Sequence, residues 1–237
     1  MTNIQNSGNI LWQAAEVVNR AGHEINALLD LSVQKLTNKI NDGKLINVRD
    51  YEEGDLDDAN ASSGWIYINE VRNIKLYPPK VHYPRGVLGL EVVIGNYEEY
   101  ITITENIPTL NVLFDSSPDG DPGSWEGGIN MYRSSTEWTE YFLCGDSRLI
   151  IYNEEYCGVE HWNPNIKEWY FSVPLTSINS PEDIDNTIIK PIQYLFENFK
   201  HVNQSSDVLE TYFNNNSKLI KFQRDNDNGL KPITYQS

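Results

Sequence analysis

Basic side chains are scarce in this sequence: 18 lysines and arginines stand against 34 aspartates and glutamates, a formal net charge of -16. Such a field repels nucleic acid and anionic membranes and attracts basic protein surfaces, so direct nucleic-acid binding and membrane binding are not expected. Cysteine is rarer still, with Cys144 and Cys157 alone. They flank a turn and a return strand, which sets them too far apart for disulfide geometry and points to reduced thiols in a cytoplasm. The four histidines, His23, His82, His161 and His201, are scattered with no pair at metal-binding spacing, which argues against a zinc enzyme.

Other absences narrow the field further. No segment has the unbroken apolar length of a membrane helix, and the first residues lack the charged start and cleavage site of a secretory signal. No glycine-rich loop ends in Lys-Ser or Lys-Thr, so nucleotide chemistry has no visible support. No strand carries the Glu-x-Lys pair of many small nucleases. No cofactor is expected, and no catalytic residue is assigned. Cys144 or Cys157 with His161 would make a thiol nucleophile pair only if the cysteines escaped the commoner role of small apolar residues in a sheet.

What is present is enough for one substantial core: 39% hydrophobic and 11% aromatic residues over 237 positions. From Ile10 to Ile40 apolar residues recur at helical spacing, first Leu11, Ala14, Val18, Ala21, Ile25 and Leu28, then Leu29, Val33, Leu36 and Ile40. The stripe shifts by one position near Leu28. The stripe does not keep a strict heptad, which favours packing across the protein's own sheet over pairing with a second copy; a homodimer through this helix stays as the other reading. Asn41 to Gly43 is a stop signal.

The middle of the chain is rich in β-branched and aromatic runs separated by Gly, Pro, Asn and Asp at short intervals, which favours antiparallel hairpins. Within it, "GVLGLEVVIG" reads as a strand with a bulge at Gly89. The last third turns helical. Ser180 is placed to cap a helix that has Pro181 at its first position and Glu182 and Asp183 in its first turn. Pro191 should kink or divide that helix.

The expectation is an α+β fold, a curved antiparallel β-sheet packed by a long N-terminal helix and C-terminal helices. Its organisation would be a helical segment at 1–43, an α+β body at 44–223 forming one domain with that helix, and a mobile tail at 224–237.

Two acidic stretches stand out as candidate sites. "FDSSPDGDPGSWEGG" carries Asp115, Asp119, Asp121 and Glu126, oxygen ligands of the kind hard cations want, but the spacing fails the EF-hand pattern. "SPDG" and "DPG" make it foremost a turn, with Asp119, Asp121, Trp125 and Glu126 at an exposed tip; whether it holds a metal stays open. Its "GSWEG" lacks the glycine that a nucleophile elbow needs before Ser124. The second stretch, "DYEEGDLDD", offers Glu52, Glu53, Asp55, Asp57 and Asp58.

Two further features are a proline-braced basic segment with Lys75, Lys80, His82 and Arg85, and a tryptophan group, Trp125, Trp138, Trp162 and Trp169. Trp125 and Trp162 sit beside turn residues and are the exposed candidates of that group. The expected function is that of an acidic cytoplasmic protein that binds and blocks a basic surface of another protein, of inhibitor, immunity or anti-defence type. The alternatives are a cation-dependent hydrolase working through the 115–126 loop and a carbohydrate- or small-ligand-binding module working through the tryptophans.

Overall fold

The computed structural model describes residues 2–40, 47–53, 69–77, 82, 86–94, 108–115, 141–153, 166–198, 206–224 and 230–233. Helix α1 (Thr2–Ile40) is followed by seven strands: β1 (Asn47–Glu53), β2 (Asn69–Tyr77), β3 (Gly86–Val93), β4 (Thr109–Asp115), β5 (Tyr141–Cys144), β6 (Leu149–Asn153) and β7 (Ile166–Pro174). They form one sheet in the order β1-β2-β3-β4-β7-β6-β5, with every neighbouring pair antiparallel. The expected α+β arrangement of an antiparallel sheet with N-terminal and C-terminal helices is the one observed.

Strand period and register decide which side chains meet the helices. One row across the sheet runs Ile74, Leu88, Phe114, Trp169 and Ile151; the next runs Arg72, Leu90, Val112 and Phe171. Because side chains alternate along each strand, these rows share a face. Leu29, Val33 and Leu36 of α1 and Ile184, Ile188, Ile192 and Phe196 of the C-terminal helices join that face in a single core. Trp169 is sealed there, stacked on Phe114 at 5.4 Å and on Phe171 at 6.0 Å between ring centroids. Gly89 stays in continuous register with Asn73 on one side and Leu113 on the other, so the expected bulge is absent from β3. The register breaks instead between Val48 and Tyr51 of β1 and between Tyr152 and Asn153 of β6.

Helix α1 spans 39 residues, about 58 Å at 1.5 Å per residue, and its core contacts among the described side chains fall in its second half. Leu29 and Leu36 are fully buried, with Ile25, Leu28 and Leu31 packed at the margin. Polar contacts lock that half in place. Arg72 donates to Asn26 at 2.9 Å, and Lys35 pairs with Asp185 at 2.7 Å. The first half behaves differently: Trp12 is 63% and Val17 68% exposed.

After β7 a 3-10 turn at Leu175–Ser177 leads to helix α2 (Pro181–Ile184). Its cap follows the sequence expectation. The Asp183 N–H donates to Ser180 Oγ at 3.2 Å, Ser180 Oγ donates to Asp183 Oδ2 at 2.8 Å, and the Asn179 N–H donates to the same carboxylate at 3.1 Å. The chain then runs through a π-helical segment, Asp185–Ile189, into α3 (Lys190–Asn198). Here the expected break at Pro191 takes another form. Lys190 N–H donates to the Asp185 carbonyl, five residues back. The widened turn sits immediately before a proline that has no N–H to offer, so the rod continues with a local change of pitch.

Helix α4 (Ser206–Asn214) follows, and then a segment that completes the sheet edge. Ile220 N–H donates to the Ser172 carbonyl at 2.9 Å and Phe222 N–H to the Ser147 carbonyl at 2.8 Å. Strands β8 (Phe222–Arg224) and β9 (Leu230–Pro232) pair antiparallel. The Ile233 N–H donates to the Lys221 carbonyl at 2.7 Å beside this hairpin, and residues 225–229 and 234–237 of the tail expected to be mobile lie outside the described residues.

Candidate functional site

Of the acidic residues singled out in the sequence, Glu52, Glu53 and Asp115 are placed, at strand ends. Glu52 and Glu53 close β1, in register with Asn73 and Arg72. Asp55, Asp57, Asp58, Asp119, Asp121, Trp125 and Glu126 lie outside the described residues. The strand ends from which the two acidic stretches leave are nonetheless placed. Strands β1 and β4 run in opposite directions, three positions apart in the strand order, so the chain leaves Glu53 and Asp115 toward opposite ends of the sheet.

The remaining sequence candidates separate in the same way. Trp169 belongs to the core and offers no face to a ligand; Trp138 and Trp162 lie outside the described residues. His23 and His82 are exposed, and Lys75 sits within β2, while Lys80, Arg85, Cys157, His161 and His201 are outside the described residues. Cys144 is buried at the end of β5, and its thiol is pushed up to about 11, first by burial and then by the negative charge of Glu210. Such a thiol is protonated at neutral pH and is a poor nucleophile. Among the described residues no cluster of His, Cys, Asp or Glu is able to hold a metal ion, and no helix is long and apolar enough to cross a membrane.

The geometry brings together a different set. A groove of about 860 Å³ opens between the π-helical segment, α3, α4 and the turn after α4, lined by Asn186, Tyr194, Tyr212, Asn216 and Lys218 with neighbouring polar residues. Tyr194 and Tyr212 stack on each other with centroids 4.0 Å apart and planes 11° from parallel. Burial, and then the neighbouring Tyr194, push the Tyr212 hydroxyl up to about 12, so it remains a neutral O–H. Asn186 accepts from Lys190 at 2.6 Å through its carbonyl, which leaves its amide hydrogens to donate. Asn215 is the complement: its amide donates to the Thr211 carbonyl at 2.9 Å and its own oxygen stays open to accept.

Charge in the groove is cancelled locally. Lys218 pairs with Asp183, whose carboxyl is held down to about 2, first by the Lys218 hydrogen bond and then by those of Ser180 and the Asn179 N–H. The capping network of α2 thus doubles as the clamp that ties the turn after α4 to the helix before it.

A second polar array lies on the sheet face away from the helices. Glu91, Asn111 and Ser172 occupy one row across β3, β4 and β7. Asn111 donates to Glu91 at 2.9 Å and Ser172 donates to Asn111 at 2.6 Å. All three are at least 96% buried. Asn73, facing the side-chain-free Gly89, is 1% exposed and neither of its amide atoms has a hydrogen-bond partner. A buried amide in that state costs the desolvation of both its atoms.

The third feature is the first half of α1. The spacing of Leu11, Ala14, Val18, Ala21, Ile25 and Leu28 is a strict alternation of three and four, and the shift at Leu28 coincides with the point where the helix docks. No family model matches the chain, and no curated protein and no solved structure matches it. The groove residues went unnoticed in the sequence because they come from four separate local structures; the only trace was the run of asparagines following Tyr212 and Phe213.

Proposed function

We propose that this is a stoichiometric binding protein that covers a basic surface of another protein in the cytoplasm, in the manner of an inhibitor, immunity or anti-defence protein. One observation carries the reading: the acidic excess of 34 carboxylates over 18 cations is unevenly distributed along the chain. Arg20, Lys35, Arg72, Arg148, Lys218 and Lys221 are each tied to a carboxylate of the same chain. By contrast, segments 54–68, 95–107, 116–140 and 154–165 hold Arg133 as their single basic residue among many carboxylates. A basic partner that meets those segments encounters little opposing charge, which raises its rate of association and selects against acidic surfaces.

The apolar spacing in the first half of α1 supports a second element of the reading, a homodimer. In sequence, an antiparallel pairing with Leu11 opposite Leu28 sets Ala14 opposite Ile25 and Val18 opposite Ala21, with Ile25 and Leu28 shared with the margin of the protein's own core. Each small residue then faces a larger one, as close packing requires, whereas a parallel pair would set alanine against alanine. Between Trp12 and Glu24 the charged residues are only Glu16, Arg20 and Glu24, so two copies of this acidic protein repel each other least here. A dimer presents two acidic bodies, and two linked sites bind a repeated basic target more tightly than one.

The test of the partner reading is affinity capture at low and high salt, followed by reconstitution with the purified partner. Tight capture that salt abolishes, and that charge reversal at Asp119, Asp121 and Glu126 weakens, is expected. A partner with an acidic surface, or none at low salt, would overturn it. Sedimentation of the wild type against Ala21→Glu tests the dimer: the wild type should be dimeric and the variant monomeric with an unchanged melting temperature.

A further inference from the structure

We infer that the groove between α3 and α4 is a binding site for a neutral, hydroxyl-rich ligand, a short oligosaccharide. The site is independent of the acidic surface and of the partner reading. Its chemistry selects the ligand class by elimination. A phosphate or carboxylate needs a free cation or a cluster of unused N–H groups; the lysine that lines the groove, Lys218, is already matched by Asp183, and Lys190 beside it is engaged by the Asn186 carbonyl. A cationic ligand needs carboxylates, and among the described residues none lines the groove. A nucleotide would bring its phosphates into the field of a chain with net charge -16.

What remains suits a sugar. Amides supply both a donor and an acceptor, and here the two are unused on different residues: the amide hydrogens of Asn186 and the carbonyl oxygen of Asn215. Adjacent sugar hydroxyls, each both donor and acceptor, match that alternation. The two tyrosines, stacked on each other, leave no slot for a flat ring to be sandwiched between them. They form instead a single thick aromatic wall with neutral hydroxyls, against which the apolar face of a pyranose packs. The volume of about 860 Å³ lies in the range of ligand sites that hold molecules of two or three rings.

Asn186 is delivered to the groove by the π-helical segment, Asp185–Ile189. In a regular α-helix the same residue would be rotated away from its present direction, so the widened turn before Pro191 sets the position of the donor.

Saturation-transfer NMR on the full chain provides the test, with maltotriose, cellotriose, chitotriose and lactose as neutral probes and adenosine, AMP and sialyllactose as the others. At least one neutral sugar should bind, and Asn186→Ala and Asn215→Ala should each weaken it about tenfold, the worth of one hydrogen bond or two. Both residues lie outside the core, so an unchanged melting temperature is expected of both variants. Thr211→Ala, at an exposed position on the same rim, serves as a second variant should either of them unfold. Binding of none of the neutral sugars, binding confined to adenosine, AMP or sialyllactose, or sugar binding that survives the variants would overturn the assignment.

Discussion

Replacing Leu36 by alanine should destabilise the fold by about 3 kcal/mol, the middle of the range for deleting a buried leucine side chain where the surroundings cannot fully collapse. The figure follows from position. Leu36 is fully buried and shares one core with Leu29, Ile188, Ile192 and the central sheet row, so the cavity would open between helix and sheet. For a chain of this length the melting temperature should fall by about 6–12 °C. The contrast is Val17→Ala on the same helix. Val17 is 68% exposed, and its truncation should stay within about 0.5 kcal/mol of the wild type. Urea denaturation followed by circular dichroism, at a concentration low enough to keep copies apart, measures both. Equal losses for the two variants, or a loss below about 1 kcal/mol for Leu36→Ala, would refute the view that the core contacts of α1 fall in its second half.

Three further outcomes are expected. Gly145 takes φ +62° and a Cβ there would overlap the buried Phe213 side chain, so Gly145→Ala should cost about 3 kcal/mol from backbone strain and overpacking together, read by the same denaturation. Asp183 titrates at about 2 in the fold against an ordinary 3.8; a depressed carboxylate stabilises above the unfolded value, so stability should fall between about pH 4 and pH 2, more steeply in the wild type than in Asp183→Asn. Because the Asn73 amide has no partner, Asn73→Val should leave the protein about 1 kcal/mol more stable; a loss of that size instead would mean that the amide is paired in solution.

Much of the fold was legible along the chain because it is local. The apolar stripe of α1, its shift at Leu28, and the Ser180–Pro181–Asp183 cap are all written in residues within a turn or two of each other. The strand order was not. Strand β7 enters between β4 and β6, and only the register of Val112 against Phe171 and of Ile150 against Tyr170 shows it.

Nor was the burial of the sheet's second face legible. Glu91 and Asn111 look like solvent-facing positions in an alternating strand, yet they are buried and bonded to each other. The groove escaped the sequence for the same reason: Asn186 and Asn216 meet only because Asp183 and Lys218 draw two distant segments together. The group of Trp125, Trp138, Trp162 and Trp169 drew attention by its aromatic faces beside polar residues, and the member of it whose place is described, Trp169, is packed in the core.

The central claim, that this chain acts by presenting unbalanced negative charge to a basic protein, is tested most directly by the salt dependence of binding to its captured partner. Screening shortens from about 10 Å at 0.1 M to about 3 Å at 1 M salt. Titrations across that range should show affinity falling steeply, chiefly through slower association. Affinity that holds constant from low to high salt would contradict the claim.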